Sequence, residues 1–258
     1  MKNKWSKVVL CMLFLVMGNV FAADDEDEGN NLVKVLPWVG KPSKDMPKKI
    51  ILGKESLIVA IGDSITMQGG YLRDCDAALI GLYSDLQIPI IKNAGISGQK
   101  AENFILRFQK DVIDRKPAVV TINVGINDVW HRLKAPHDEK VLAAYKENVE
   151  KMVEMAQKNN IKVLLLTPTV FNEDPGTEGN KRLLLYCDAM KSIAKKKQCI
   201  LVDLHSMFLE ALKHKPAGAK DYWLTKDGVH MKPLGDAIMA IGVLRGLGVS
   251  DKEIASLK

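Results

Sequence analysis

Ser64 closes the run Leu57-Ile58-Val59-Ala60-Ile61-Gly62-Asp63-Ser64, and Asp227-Gly228-Val229-His230 lies near the other end of the chain. An apolar strand that ends in a glycine turn presents one hydroxyl. An aspartate and a histidine three residues apart can orient and drive a base. Nucleophile, base and orienter are the parts that acyl transfer through a covalent intermediate requires. Taken alone, Ser64 equally suits a helix N-cap after a glycine turn. His230 alone could be a surface residue before the last helix, but the aspartate upstream and the glycine between them argue against that.

These side chains need a frame to bring them together. Five short apolar runs read as buried parallel strands: Leu57–Ile61, Ile88–Lys92, Ala118–Val124, Lys162–Thr167 and Cys199–Asp203. Amphipathic segments separate them. The clearest runs from Asp138 to Lys158, where Leu142, Tyr145, Val149, Met152 and Ala156 form one apolar stripe. Others lie near Tyr71–Leu86, Glu102–Arg115 and Lys181–Lys197, and a last helix is expected to start at Pro233, which suits the first helical position. Repeated strand–helix–strand units imply an α/β fold, a three-layer α/β/α sandwich of the flavodoxin-like kind with a five-stranded parallel sheet.

Ligands of such sheets bind beyond the carboxyl ends of the strands. The polar residues there are Gly62-Asp63-Ser64, then Asn93 to Gly98, then Gly125 to Asp128, then Pro168 to Asn180. The candidate chemistry therefore converges on one edge.

Four blocks, Gly62-Asp63-Ser64-Ile65-Thr66, Asn93-Ala94-Gly95-Ile96-Ser97-Gly98, Gly125-Ile126-Asn127-Asp128 and Asp227-Gly228-Val229-His230, make the chain resemble the SGNH, or GDSL, hydrolases. Each block is weak alone; four in order across about residues 57–245 are specific. The resemblance implies that Ser64 attacks an acyl carbonyl, that His230 moves the proton and that Asp227 orients the imidazole. It also implies an oxyanion hole made by the backbone N–H groups of Ser64 and Gly98 and the side-chain amide of Asn127. Gly95 is a rival donor in the second block; Gly98 is favoured because the family's donor usually follows the block's Asn by five residues. Asp63 either touches substrate or holds the turn through nearby backbone. Asp128 is read as a helix cap. Trp130, His131 and Trp223 either wall the substrate pocket or simply pack, and Thr167 to Gly179 is a candidate substrate-facing loop. The absence of GxSxG argues against the familiar α/β-hydrolase elbow, and the absence of HExxH and CxxC against a metal-dependent deacetylase. No cofactor or metal is called for.

The 258 residues, 47% hydrophobic, suffice for one sizeable core. Lys2, Lys4 and Lys7, the apolar stretch Val8–Met17 and the small residues at Val20-Phe21-Ala22 read as a cleavable signal peptide over 1–22. An acidic tail and irregular surface lead-in are expected over 23–54, with Trp38 pinning it, and the hydrolase domain over 55–258. Removing the leader takes away three lysines and no acid, so the formal charge falls from +6 to +3. That is too little to argue for a nucleic-acid partner, and no apolar stretch long enough to span a bilayer remains. Lys195-Lys196-Lys197 suits the negative end of a helix. Cys187 and Cys199 are expected roughly 15 Å apart along a helix, too far for a disulfide.

The reading is a secreted or periplasmic serine esterase acting on short-chain acyl groups, O-acetyl on carbohydrate first, with a small-molecule or polysaccharide ester as its partner. Alternatives are a lysophospholipase or thioesterase, an acyltransferase, and a non-catalytic carbohydrate-binding protein of the same fold.

Overall fold

The structure, a computed structural model, describes residues 30–257. In chain order the elements are α1 (Asn31–Val35), β1 (Ile58–Gly62), α2 (Ser64–Gln68), α3 (Gly70–Leu82), β2 (Lys92–Gly95), α4 (Ala101–Asp111), β3 (Val119–Asn123), α5 (Ile126–Trp130), α6 (Glu139–Lys158), β4 (Lys162–Leu166), α7 (Glu178–Lys197), β5 (Ile200–Val202), α8 (Leu204–Leu212), α9 (Pro233–Gly246) and α10 (Asp251–Ile254). The strands form one parallel sheet in the order β2-β1-β3-β4-β5. That is the flavodoxin-like order, with helices on both faces.

The sequence pattern explains the middle of this sheet. β1 and β3 are buried along their whole length and β4 at every residue but Lys162; β1 and the buried part of β4 read as continuous apolar runs, whereas β3 also buries Thr121 and Asn123. The α6 stripe is buried as expected, behind an Asp138 cap that accepts the Lys140 N–H at 2.8 Å. The lysines ending α7 do more than suit a helix dipole: Lys196 and Lys197 reach Glu150 at 2.5 and 2.9 Å, and Lys197 reaches Glu154 at 2.7 Å, tying α7 to α6. α9 begins at Pro233 and is buried from Ala237 to Gly246, as a helix apolar all round must be.

Three expectations are corrected. The second strand is Lys92–Gly95 rather than Ile88–Lys92. It is an edge strand paired with Val59–Gly62, so pairing rather than apolarity selects its residues, and Asn93-Ala94-Gly95 lies within the strand instead of beyond it. α8 was not foreseen. The lead-in is only partly irregular surface: α1 packs on α9 and Leu32, Val35, Val39 and Leu52 join the core, while residues 40–49 form no helix or strand and are largely exposed. Trp38 packs at a tilt against Trp223, ring centroids 5.0 Å apart. Cys75, Cys187 and Cys199 are free. The leader over 1–22 and the acidic run 24–28 lie outside the described residues. Among the described residues no helix is long and apolar enough to cross a membrane.

Candidate active site

β1 ends at Gly62, Asp63 caps the turn, and Ser64 is the first residue of α2. The Asp63 carboxylate accepts the Ile65 N–H at 2.9 Å, and its side chain is 1% exposed. Ser64, itself 7% exposed, points its hydroxyl at His230: Oγ and Nε2 are 2.9 Å apart. The other imidazole nitrogen, Nδ1, lies 2.6 Å from Asp227 Oδ2. An ionised carboxylate can only accept, so Nδ1 carries the proton and Nε2 is left to accept from Ser64.

Asp227 is fixed by its own turn. Its Oδ1 accepts the Val229 and His230 N–H groups at 3.0 and 2.8 Å. The turn is closed by the Thr225–Met231 bridge and by the Lys226 N–H on the His230 carbonyl at 2.7 Å. Burial works against the Asp227 charge, but the hydrogen bonds from the His230 N–H, the imidazole and the Val229 N–H outweigh it and hold the carboxyl below its ordinary range.

A second loop braces this turn. Asn172 and Glu173, between β4 and α7, are both left-handed at φ +51° and +53°. The Glu173 carboxylate accepts the backbone N–H groups of Trp223, Leu224 and Thr225 at 2.7 Å each and the Thr225 hydroxyl at 2.8 Å. It is 1% exposed, with Lys215 Nζ at 3.6 Å. The loop is tied in turn by Asn180, whose side chain bonds the N–H and carbonyl of Phe171 at 2.8 and 2.7 Å.

On the other side of Ser64, α2 lies close over β2. A Cβ on Gly95 would come within 2.2 Å of the Met67 nitrogen, which explains a glycine there, and the Gly95 N–H is occupied by Asn93 Oδ1 at 2.8 Å. The Gly98 N–H has no acceptor among the described residues. Asn127 donates one amide hydrogen to the Gln99 carbonyl at 3.2 Å, leaving the second for a ligand. As the first helical residue, Ser64 has an N–H without an intrahelical partner.

Residues 60–238 match the profile of the GDSL-like lipase/acylhydrolase family. The chain belongs to that family. An acetylxylan esterase of Geobacillus stearothermophilus is 29% identical over 216 residues, 76% of this chain and 96% of that protein. An uncharacterized lipoprotein of Bacillus subtilis is 30% identical over 181 residues, 60% of this chain and 72% of that protein. Among solved structures, that of the Geobacillus acetylxylan esterase superposes with a TM-score of 0.69 at 28% identity, covering 77% of this chain and 96% of the other. An α/β hydrolase from the metagenome of Lake Arreo, Spain, gives 0.70 at 26%, covering 78% and 98%. This GDSL hydrolase is a carboxylic ester hydrolase, an acyl esterase.

Not every candidate side chain of this GDSL hydrolase lies against Ser64 and His230. Asp63 is buried and bonded to the Ile65 N–H, the arrangement of a residue that holds the turn. Burial raises its carboxyl to about 6. Asp128 does cap a helix, but a distant one. Both of its oxygens lie 3.3 Å from the Ala101 nitrogen at the start of α4, and burial raises it to about 7. Trp130 is 40% exposed and forms a T-shaped pair with His230, centroids 6.2 Å apart. The His131 ring lies beside Gly98, 3.8 Å from where a Cβ would stand. Trp223 packs on Trp38. The 167–179 loop braces the Asp227 turn, which its glycines and prolines did not signal. Gln99, Arg107, Asn172 and Glu173 escaped the sequence reading because each acts through partners distant in sequence. Among the described residues no group of three His, Cys, Asp or Glu side chains could hold a metal ion.

Proposed function

We propose that this GDSL hydrolase removes short acyl groups, acetyl first, from carbohydrate outside the cytoplasm. One observation carries the chemistry: the unbroken chain from Ser64 Oγ to His230 Nε2 and from Nδ1 to Asp227. In this reading the Ser64 oxygen attacks the acyl carbonyl as its proton passes to Nε2. The resulting oxyanion takes hydrogen bonds from the Ser64 and Gly98 N–H groups and from Asn127 Nδ2. The C–O bond to the alcohol breaks, and His230 returns the proton to the departing oxygen. Water then attacks the acyl–Ser64 ester, again giving a proton to His230, and the acid leaves with Ser64 restored. Asp227 keeps the imidazole in the required tautomer and offsets its positive charge.

Similarity to an acetylxylan esterase over most of both chains supports acetylated carbohydrate as the substrate class. Trp130, exposed beside His230, offers a face on which a sugar ring can stack. The expected leader over 1–22 and a relative that is a lipoprotein by name support export.

The test is hydrolysis of p-nitrophenyl acetate, butyrate and octanoate, with Ser64→Ala beside the parent, followed by acetate release from acetylated xylan. Fastest turnover on acetate that vanishes in Ser64→Ala is expected. Fastest turnover on octanoate would move the substrate to lipid, and an undiminished Ser64→Ala would end the serine mechanism.

A further inference from the structure

Arg107 on α4 sits behind the site and touches none of its reacting groups. Its side chain is 13% exposed, and all three guanidinium nitrogens are engaged. Nε donates to Gln99 Oε1 at 2.6 Å. Nη1 donates to the Ala94 carbonyl and to Asp111 Oδ2, both at 2.8 Å. Nη2 donates to the Gly62 carbonyl at 3.1 Å. The cation stands 4.9 Å from the centroid of the Phe104 ring. Helix, β1, β2 and the turn after β2 thus meet on one planar group.

The partners matter more than their number. Gly62 lies two residues before Ser64. Gln99 follows Gly98, and its carbonyl is the acceptor that holds the Asn127 amide. The Gly62 carbonyl also takes the Ile96 N–H at 3.0 Å, so the turn carrying Gly98 is already hung from the residue Arg107 grips. Each of the three donors assigned to the oxyanion is therefore one or two residues, or one hydrogen bond, from an Arg107 contact. A rigid fork with fixed angles can hold three separate acceptors in register; the point charge of a lysine cannot. Oxyanion donors must lie within a few tenths of an ångström of the developing charge to act.

We infer that Arg107 is the positioning residue of the oxyanion hole, locking the Ser64, Gly98 and Asn127 donors into one geometry through Gly62, Ala94 and Gln99. This rests on the proposed reading of the site.

The test is a double-mutant cycle on p-nitrophenyl acetate with Arg107→Lys, Asn127→Ala and the pair, and with Gln99→Ala as a milder cut. Removing a whole donor costs roughly 10²- to 10³-fold in kcat; loosening the set should cost less. Arg107→Lys is expected to lower kcat about 10- to 100-fold with KM within about threefold. Gln99→Ala should lower kcat in the same way by a smaller factor. In the Asn127→Ala background the Arg107→Lys loss should shrink to under about threefold, because the hole is already broken. Equal losses in both backgrounds, or a raised KM with unchanged kcat, would overturn the inference. Should Arg107→Lys fail to fold, Gln99→Ala in the same cycle decides by the same criteria. The parallel Ser64→Ala control keeps the two levels apart. Turnover surviving there removes the reading of the site itself, whereas Ser64-dependent turnover indifferent to Arg107 and Gln99 removes only their role.

Discussion

Asn172 and Gly228 meet main chain to main chain. The Asn172 N–H donates to the Gly228 carbonyl at 2.8 Å, Gly228 sits at φ +88°, and a Cβ there would fall 2.4 Å from Asn172 Oδ1. The turn that carries Asp227 and His230 is thereby seated on the loop that follows β4, so the Ser64–His230–Asp227 geometry is braced by a contact spanning the two.

Gly228→Ala should disturb both. The left-handed backbone costs a residue with a Cβ about 1–2 kcal/mol, and the contact with Asn172 adds to it. The melting temperature is expected to fall by several degrees, and kcat on p-nitrophenyl acetate to fall with it. A variant with the parent's melting point and rate would show that the two loops are not seated as described.

Glu173→Gln tests the same seat from the other side. The substitution puts an amide N–H₂ among backbone N–H donors that now point at a carboxylate. One buried acceptor lost in this way costs about 1–3 kcal/mol. Urea unfolding should show a midpoint lowered accordingly, with kcat reduced because the 223–225 segment leads directly into Asp227. An unchanged midpoint would mean that Glu173 is dispensable to the turn.

Asn127→Ala should lower kcat by roughly 10²-fold or more with the fold intact. The same substitution frees the Gln99 carbonyl, so far-UV circular dichroism and the melting point should be measured alongside. Full-rate turnover would remove Asn127 from the oxyanion role.

Acidity and stability are linked through two buried carboxyls. Burial raises Asp63 from 3.8 to about 6 and Asp128 from 3.8 to about 7, so the folded protein holds protons that the unfolded chain has already released. Their contribution is fully present below the unfolded value and is lost as pH rises through the folded ones. Asp227, whose carboxyl is lowered, acts in the opposite sense and loses its contribution as pH falls. Asp128→Asn removes one raised group while keeping an acceptor for the Ala101 N–H. The difference in melting temperature, variant minus parent, should therefore grow more positive between pH 4 and pH 8. A difference constant across that range would contradict the raised Asp128.

The central sheet could be read from the sequence because burial on both faces leaves β1 and β4 almost wholly apolar and β3 apolar but for Thr121 and Asn123. β2 could not, since an edge strand exposed at Lys92 and Asn93 carries no such signal and is chosen by its partner β1. Ser64, Asp227, His230 and Asn127 were legible as motif residues, and the structure adds the distances from His230 to Ser64 and to Asp227. The supports were not legible. Arg107 reaches Gly62 across 45 positions and Glu173 reaches Trp223 across 50, and neither spacing leaves a periodicity or a local pattern. Asp63 was ambiguous for a related reason: a buried cap and a substrate ligand use the same residue type in the same turn.

α1 has one more consequence. The family's block begins at residue 60 and stops at 238, inside α9, while the fastening of this molecule lies outside both limits. Leu32 and Val35 of α1 are buried with α1 against α9, the Ile51 N–H donates to the Leu247 carbonyl at 2.9 Å, and Arg245 joins the Gly40 carbonyl and Asp251 at 2.8–3.0 Å. The autonomous folding unit is therefore wider than the block that carries the chemistry. A fragment cut to the family limits would keep Ser64, Asp227 and His230 and lose the flanking segments that pack on one another, the C-terminal part of α9 among them.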